Sequence, residues 1–129
     1  MPATMIRSEA LGHVLNEMLK LNDELQTVIL LNTQGMVLDS REIEEEYNHG
    51  FALPAKVQTE LYAVLIAQAW TDGRKWTGID LENVRICVVG SGSLLLAVVA
   101  EPGTPWGQLN ELLDAARPIL GDLSGKIKE

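Results

Sequence analysis

The strongest constraint on the fold is a segment, residues 54–70, that is apolar on two roughly opposite sides. Pro54 suits the first turn of a helix, because the N–H that proline lacks has no partner there, and the apolar pattern continues to Trp70. A helix on the surface of a monomer is normally apolar along one stripe. We therefore expect one side to pack on the chain's own core and a partner to cover the other. One side consists of Val57, Leu61, Val64 and Leu65, and the other of Tyr62, Ile66, Ala69 and Trp70. The sequence does not decide which side faces outward.

The length of the chain and the order of its apolar segments predict one domain. A chain of 129 residues has the size of a single domain, and we assign residues 1–129 to it, with a folded core of about residues 5–123. Apolar periodicity predicts three helices and five strands; the helices lie at about residues 5–21, 54–70 and 105–121, and the strands at about residues 25–31, 36–38, 75–81, 83–89 and 94–100. Because every strand connection but one is a hairpin, the predicted fold class is an α/β (α+β) sandwich of order α-β-β-α-β-β-β-α with a five-stranded, mostly antiparallel sheet.

Local patterns add detail at both ends of this fold. Residues 28–31 have no polar alternation, which predicts a central strand that is covered on both faces. Near the other end, Thr104 is the expected N-cap of the third helix, with Pro105 at its first position. Pro118 should kink or interrupt the last turns, since proline removes an N–H donor and clashes with the preceding turn. Gly121 is the expected end of the helix.

Charge and hydropathy exclude several classes of partner. Ten Lys and Arg against eighteen Asp and Glu give a formal net charge of −8, and no cluster of basic residues is present. Binding to a phosphate backbone or to an anionic membrane requires such a cluster. The longest apolar runs, residues 61–67 and 94–100, are far shorter than the ~20 residues needed to span a bilayer. We expect no nucleic acid as a partner and only an indirect association with any membrane.

The sequence offers no constellation that predicts catalysis. The stretch at residues 90–93, GSGS, lies between two strand patterns, whereas a phosphate-binding loop needs a helix after it. The acidic run at residues 42–46 lacks the spaced ligands and central glycine of a calcium loop. Neither His13 nor His49 is placed beside a nucleophile, and Cys87 lies inside a strand, where a small buried thiol is the usual state. We predict a protein that is not an enzyme and that has no cofactor and no metal site.

The three tryptophans are the remaining conspicuous residues. Trp106 at the start of the last helix is best interpreted as a core anchor. Trp70 and Trp76 flank the turn between the two-sided helix and the next strand. Large aromatic side chains at such junctions are enriched in interfaces, although packing in the core is an alternative of nearly equal weight.

The whole pattern resembles the roadblock (dynein light chain 7) family. The resemblance covers almost the entire chain and is strongest in TVILLNTQGMVLDS (residues 27–40) and in SLLLAVVAEPGTPWGQLNELLDAARPIL (residues 93–120). Within the family the chain is most similar to the roadblock subunit of the Ragulator complex, called EGO in yeast. That likeness rests on MIRSEALGHVL (residues 5–15), on LIAQAW (residues 65–70) and on LLLAVVAEPGTPWGQL (residues 94–109).

The resemblance implies a fold and a way of pairing. In this roadblock/profilin-like fold the first and last helices lie on one face of the sheet and the middle helix on the other. Family members form homo- or heterodimers by joining their middle helices and third-strand edges, so that one sheet continues across both subunits. For this chain, the resemblance points to six candidate residues of the dimer interface: Tyr62, Ile66, Ala69, Trp70, Trp76 and Ile79.

The resemblance also implies a function. It predicts a non-enzymatic dimerising scaffold of a Ragulator- or EGO-like complex, which recruits Rag-family small GTPases in amino-acid-dependent TOR signalling. Its partners would be a second roadblock-fold subunit, a small GTPase and a lipidated tether protein. Its location would be the cytoplasmic face of the late endosome, lysosome or vacuole, reached through those partners.

Three alternatives stay open. The first is a prokaryotic-type homodimeric roadblock regulator of a Ras-like GTPase in motility or polarity, and the second is a dynein light chain. The third belongs to another class, a profilin-like sheet that senses a small molecule in a pocket between sheet and helix. No polar groups in the sequence converge on such a pocket.

Overall fold

The apolar strands of the chain form one sheet that is covered by helices on both faces. The computed structural model describes residues 8–20, 24–42, 55–70 and 76–127. Its elements are α1 (Ser8–Lys20), β1 (Leu25–Asn32), β2 (Val37–Glu42), α2 (Ala55–Ala69), β3 (Trp76–Asp80), β4 (Arg85–Ser91), β5 (Leu94–Ala100) and α3 (Trp106–Ile127). The predicted element order and fold class are confirmed.

The sheet is fully antiparallel, and its strand order places the most apolar strands at the centre. The order is β2-β1-β5-β4-β3, so that β2 and β3 are the two edge strands. All seven residues of β5 are buried. The run at residues 28–31 of β1 is also buried throughout, which confirms the prediction of a central strand.

Alternate residues of the strands contribute to two separate cores. Helices α1 and α3 cover one face of the sheet, where Leu15, Leu109 and Leu113 contact residues such as Val28 and Val98. We call this the α1/α3 side. Helix α2 alone covers the opposite face, which we call the α2 side. There Ala63 and Ile66 contact strand residues that include Ile29, Val88 and Val99. The two-against-one arrangement of helices agrees with what the family resemblance implies.

The hairpin between β1 and β2 is fixed by the side chain of Asn32. Its Oδ1 accepts hydrogen bonds from the backbone N–H groups of Gln34 and Met36, at 2.9 and 3.0 Å. Gly35 has a φ of 90°, a conformation that L side chains rarely adopt. A Cβ at Gly35 would lie 3.0 Å from the Cβ of Ala67, so that this turn also abuts α2.

The third helix departs from the predicted limits in three places. Thr104 is not its N-cap: the Thr104 hydroxyl lies 2.7 Å from the carbonyl oxygen of Glu101 and 2.9 Å from a carboxylate oxygen of Glu24. The helix continues through Pro118 and past Gly121 to Ile127, so the predicted interruption and end are wrong. Pro118 is exposed, so its ring stands clear of the sheet, and the remaining hydrogen bonds of this long helix outweigh the lost donor and the clash with the preceding turn. Within the described residues, no helix combines the length and apolar character needed to cross a bilayer.

The contact between Trp70 and Gly90 gives a test of the packing on the α2 side. A Cβ at Gly90 would lie 2.5 Å from Cζ2 of Trp70 and 3.0 Å from Cδ2 of Leu95. Gly90→Ala should therefore lower the free energy of unfolding by about 1–3 kcal/mol, because the ring has to move. Urea denaturation followed by tryptophan fluorescence measures the loss.

Gly107 provides the matched control for that substitution. A Cβ at Gly107 meets no atom within 4 Å, and the residue lies in the first turn of α3. Gly107→Ala should leave stability unchanged or raise it by up to about 1 kcal/mol. Equal effects of the two substitutions would contradict the packing described for Trp70.

Candidate partner-binding surface

The structure shows which of the two apolar sides of α2 packs against the sheet. Ile66 is 0% exposed and lies in the core of the α2 side. Tyr62 and Trp70 are partly buried and pack against the same core. Ile66, predicted to contact a partner, therefore has no accessible surface to offer one. The physical reason is shape: Ala63 and Ile66 let the helix approach the sheet closely, while the larger rings of Tyr62 and Trp70 fill space beside them.

The side that faces outward carries four exposed apolar residues, which we call the outer stripe of α2. Their exposed fractions are 39% for Val57, 50% for Leu61, 51% for Val64 and 38% for Leu65. Their spacing places them along one side of the helix. Two more exposed apolar residues, Met36 and Leu38, lie on the neighbouring β1–β2 hairpin and strand β2. The large exposed apolar side chains among the described residues are thus concentrated on α2 and this hairpin.

The predicted interface residues of β3 point to opposite faces of the sheet. Ile79 pairs with Ile86 and packs on the α2 side. Trp76 packs against the core of the α1/α3 side instead. Successive side chains of a strand alternate between faces, and residues 76 and 79 are an odd number apart. Trp76 therefore cannot extend the surface formed by Trp70 and Ile79, although it lies on the same edge strand.

Trp76 belongs to a cluster that fixes β3 to the start of α3. Its ring centroid lies 5.8 Å from that of Trp106, and the Arg85 guanidinium lies 4.3 Å from the Trp106 ring centroid. Arg85 also donates to both carboxylate oxygens of Asp80, at 3.3 and 3.2 Å, and to the carbonyl oxygen of Thr104 at 2.8 Å. Gly78 makes room for both rings, because a Cβ there would lie 2.8 Å from Trp106 and 2.9 Å from Trp76. The interpretation of Trp106 as a core anchor agrees with this placement.

The two edge strands differ in how they resist pairing with another chain. The register of β2 against β1 shifts between Leu30 and Leu31, and β2 carries Asp39, Arg41 and Glu42. Bulges and charges are the usual protection of an exposed edge. Strand β3 has an unbroken register, and its one charged residue, Asp80, is paired with Arg85. Strand β3 is therefore the edge better suited to adding a strand from a partner.

Cys87 and His13, two residues considered for chemistry in the sequence, differ in burial and position, one being buried in β4 and one exposed on α1. Cys87 is fully buried, and this burial raises the pKa of its thiol to about 12. His13 is exposed on α1, and no group of three or more His, Cys, Asp or Glu in the described ranges could hold a metal ion. His49 and most of the acidic run at residues 42–46 lie outside the described residues, and Ala69, the remaining predicted interface residue, is partly buried.

Sequence reasoning left one feature of this surface undecided and missed another. The outer stripe was visible in the sequence as one of two apolar sides, but the choice between them depends on which side fits the sheet. The cluster of Arg85, Trp106 and Gly78 had no signal in sequence, because its members come from three elements that only the fold brings together.

Comparison with solved structures identifies the fold, whereas two other comparisons found no match. No family model matches the sequence, and no curated protein matches it. Among solved structures, an MglB with a tetrameric arrangement superposes with a TM-score of 0.71 at 18% identity, over 95% of both chains. The gliding protein MglB from Thermus thermophilus gives 0.66 at 20% identity, again over 95% of both chains. A roadblock/LC7 domain from Streptomyces avermitilis gives 0.60 at 15% identity, over 84% of this chain and 95% of its own. The chain has the fold of roadblock-domain proteins.

The burial of Cys87 predicts that its thiol does not react in the native protein. The pKa of about 12 keeps the thiol protonated, and the side chain has no accessible surface. Alkylation by iodoacetamide should stay slow between about pH 8 and 10 and become fast in denaturant, where the thiol titrates near its ordinary pKa of ~8.5. Mass spectrometry measures the modified fraction. Rapid modification of the native protein would contradict this burial.

Proposed function

We propose that this chain is a roadblock-type regulator that forms a homodimer and binds a Ras-like small GTPase. The observation that carries the proposal is the outer stripe of α2, which no described element of the chain covers, in a fold shared with the MglB proteins. Four large apolar residues exposed side by side are typical of a surface that a second protein covers. The proposal includes no catalytic step by the chain itself.

Two neighbouring features support pairing through α2 and β3. The outer stripe supplies apolar surface, and β3, which among the described strands pairs with β4 alone, supplies a second edge with backbone donors and acceptors. The cluster of Arg85 and Trp106 holds that edge in place from the α1/α3 side. In the proposed dimer, the α2 helices of two copies lie side by side and their β3 strands join one sheet to the other. The interface residues proposed on α2 are Val57, Leu61, Val64 and Leu65 in place of Ile66.

The prokaryotic alternative has more support than the Ragulator interpretation. Two of the similar structures described above come from the bacteria Thermus thermophilus and Streptomyces avermitilis, and the former is named as a gliding protein. None of them is a Ragulator subunit. The scaffold role in TOR signalling, the lipidated tether and the lysosomal or vacuolar location rest on sequence resemblance alone and stay predictions.

The dimer is tested by placing a charge on the outer stripe. Val64→Asp changes a residue that is 51% exposed, so the protomer should stay folded while the carboxylate opposes burial in the interface. Sedimentation velocity at micromolar concentration should show a dimer for the native chain and a monomer for the variant. Ala115→Asp, at an exposed position of α3, is the matched control and should stay dimeric. A native chain that sediments as a monomer would overturn the proposed dimer.

The GTPase is tested separately, with a purified Ras-like GTPase from the same organism loaded with a fluorescent GTP analogue. Addition of the dimer should change the rate of nucleotide hydrolysis or release at least severalfold. Val64→Asp should lose the effect and Ala115→Asp should keep it. If binding and both rates are unchanged for every Ras-like GTPase of the organism, the regulatory part of the proposal fails while the dimer can still stand.

A further inference from the structure

The backbone groups of β3 alternate between the strand next to it and the open edge of the sheet. The N–H of Leu81 donates to the carbonyl oxygen of Val84 at 2.9 Å, which makes these two residues a hydrogen-bonded pair of the antiparallel ladder. Hydrogen-bonded pairs occur at every second residue, so the backbone groups of Thr77 and Ile79 face β4. The backbone groups of three residues face the edge, and we call these the outward residues: Trp76, Gly78 and Asp80.

A hydrogen bond in a distant part of the sheet gives the same alternation. The N–H of Thr33 donates to the carbonyl oxygen of Ser93 at 3.2 Å, so the odd-numbered residues of β5 face β1 and the even-numbered ones face β4. The registers of β4 against β5 and of β3 against β4 both pair odd-numbered residues with even-numbered ones. This pattern, followed across the sheet, again leaves the even-numbered residues of β3 facing outward.

Two copies of this edge can pair about a two-fold axis in only a few registers. Setting Gly78 of one copy opposite Gly78 of the other, which we call the central register, pairs every outward residue with an outward residue. Each of these pairs then exchanges two N–H···O bonds. A shift toward either end sets Thr77 opposite Thr77 or Ile79 opposite Ile79, and leaves one outward residue of each copy without a partner in β3. The central register therefore satisfies the most backbone groups.

The side chains of β3 also favour the central register. On the α1/α3 side it sets Trp76 opposite Asp80 of the second copy and keeps the two Asp80 carboxylates ~13 Å apart along the strands, farther than the ~8 Å screening length at physiological salt. The register centred on Ile79 instead brings these carboxylates to diagonal positions, ~7–8 Å apart. On the α2 side the central register pairs Thr77 with Ile79, two β-branched side chains of the type that is enriched in strands.

From this alternation we propose that the second copy pairs its β3 with this edge in the central register, with Gly78 of each copy at the two-fold axis. This register rests on the proposed dimer and specifies how its two sheets join. Within one copy, Gly78 makes room for the rings of Trp76 and Trp106, which lie 2.9 and 2.8 Å from a Cβ placed there. In the central register that space is bordered by the same glycine of the second copy, so that no side chain at position 78 of either copy competes with the rings for it.

Cysteine cross-linking tests the register in the full chain. In the central register residue 77 of one copy lies opposite residue 79 of the other in a non-hydrogen-bonded pair, where Cα atoms are ~4.5 Å apart and a disulfide can form. Thr77→Cys and Ile79→Cys are expressed separately and together, with different tags, and are oxidised with diamide. On a non-reducing gel the co-expressed pair should give a linked dimer of the two chains, in several times the amount that either variant gives alone. The native chain, whose Cys87 is fully buried, is the control and should give none.

Amide hydrogen exchange gives a second test that needs no cysteine. The N–H groups of the outward residues are bonded only across the axis. In the monomeric Val64→Asp variant they should therefore exchange about fivefold to tenfold faster than in the native dimer, the range of one hydrogen bond. The N–H groups of Thr77 and Ile79 donate to β4 in both forms and are the internal control for the stability of the variant. NMR measures the rate at each residue.

Two results would contradict the central register. A linked dimer from Thr77→Cys alone or from Ile79→Cys alone, in a larger amount than from the co-expressed pair, would show a shifted register. No linked dimer in any sample, with the outward N–H groups exchanging equally in both forms, would show that α2 joins the copies without β3. In both cases the native chain still sediments as a dimer, so the failure differs from that of the proposed function, in which the native chain is a monomer.

Discussion

The fold depends on one requirement, that both faces of a sheet with an apolar centre have to be removed from water. Strand β5 is buried along its whole length, and its neighbours β1 and β4 are buried on both faces at their centres. Two helices cover the α1/α3 side, but α2 alone covers the other. A single helix covers only part of a broad sheet. The rings of Tyr62 and Trp70 pack against the same core and cover more of that face. The outer side of the helix is left with an apolar stripe of its own.

The two edge strands of the sheet are protected unequally against pairing with a strand from another chain. A bulge and three charged residues interrupt β2, whereas β3 runs unbroken and its only charge is paired with Arg85. The same Arg85 stacks on Trp106 and binds the backbone of Thr104, and so connects the edge strand to the start of α3. Residues that face away from the proposed interface thus determine how firmly the edge is held. In the proposed dimer the α2 side supplies the apolar contact, whereas the described cations of the α1/α3 side are ion-paired.

The two sides of the sheet also differ in the charge of their described side chains. On the α1/α3 side every described Lys and Arg side chain is ion-paired with an acid, and further acids such as Glu111 lie on the same side. The α2 side has acids without such cations among its described side chains, although it also has the most exposed apolar surface. Apolar area supplies attraction to many proteins, whereas the sign of the surrounding charge selects among them.

The sequence by itself determined the element order, the central strands and the existence of a helix with too much apolar surface, because periodicity and turn residues act locally. It also determined that Cys87 would lie in a buried strand. The tertiary structure alone decided that Ile66 faces inward and Val64 outward, since both are β-branched apolar residues and only the fit against the sheet separates them. It likewise decided that Trp76 and Ile79 lie on opposite faces and that α3 continues past Pro118. Periodicity identifies which residues are apolar together, but the side that a core accepts depends on shapes supplied by distant parts of the chain.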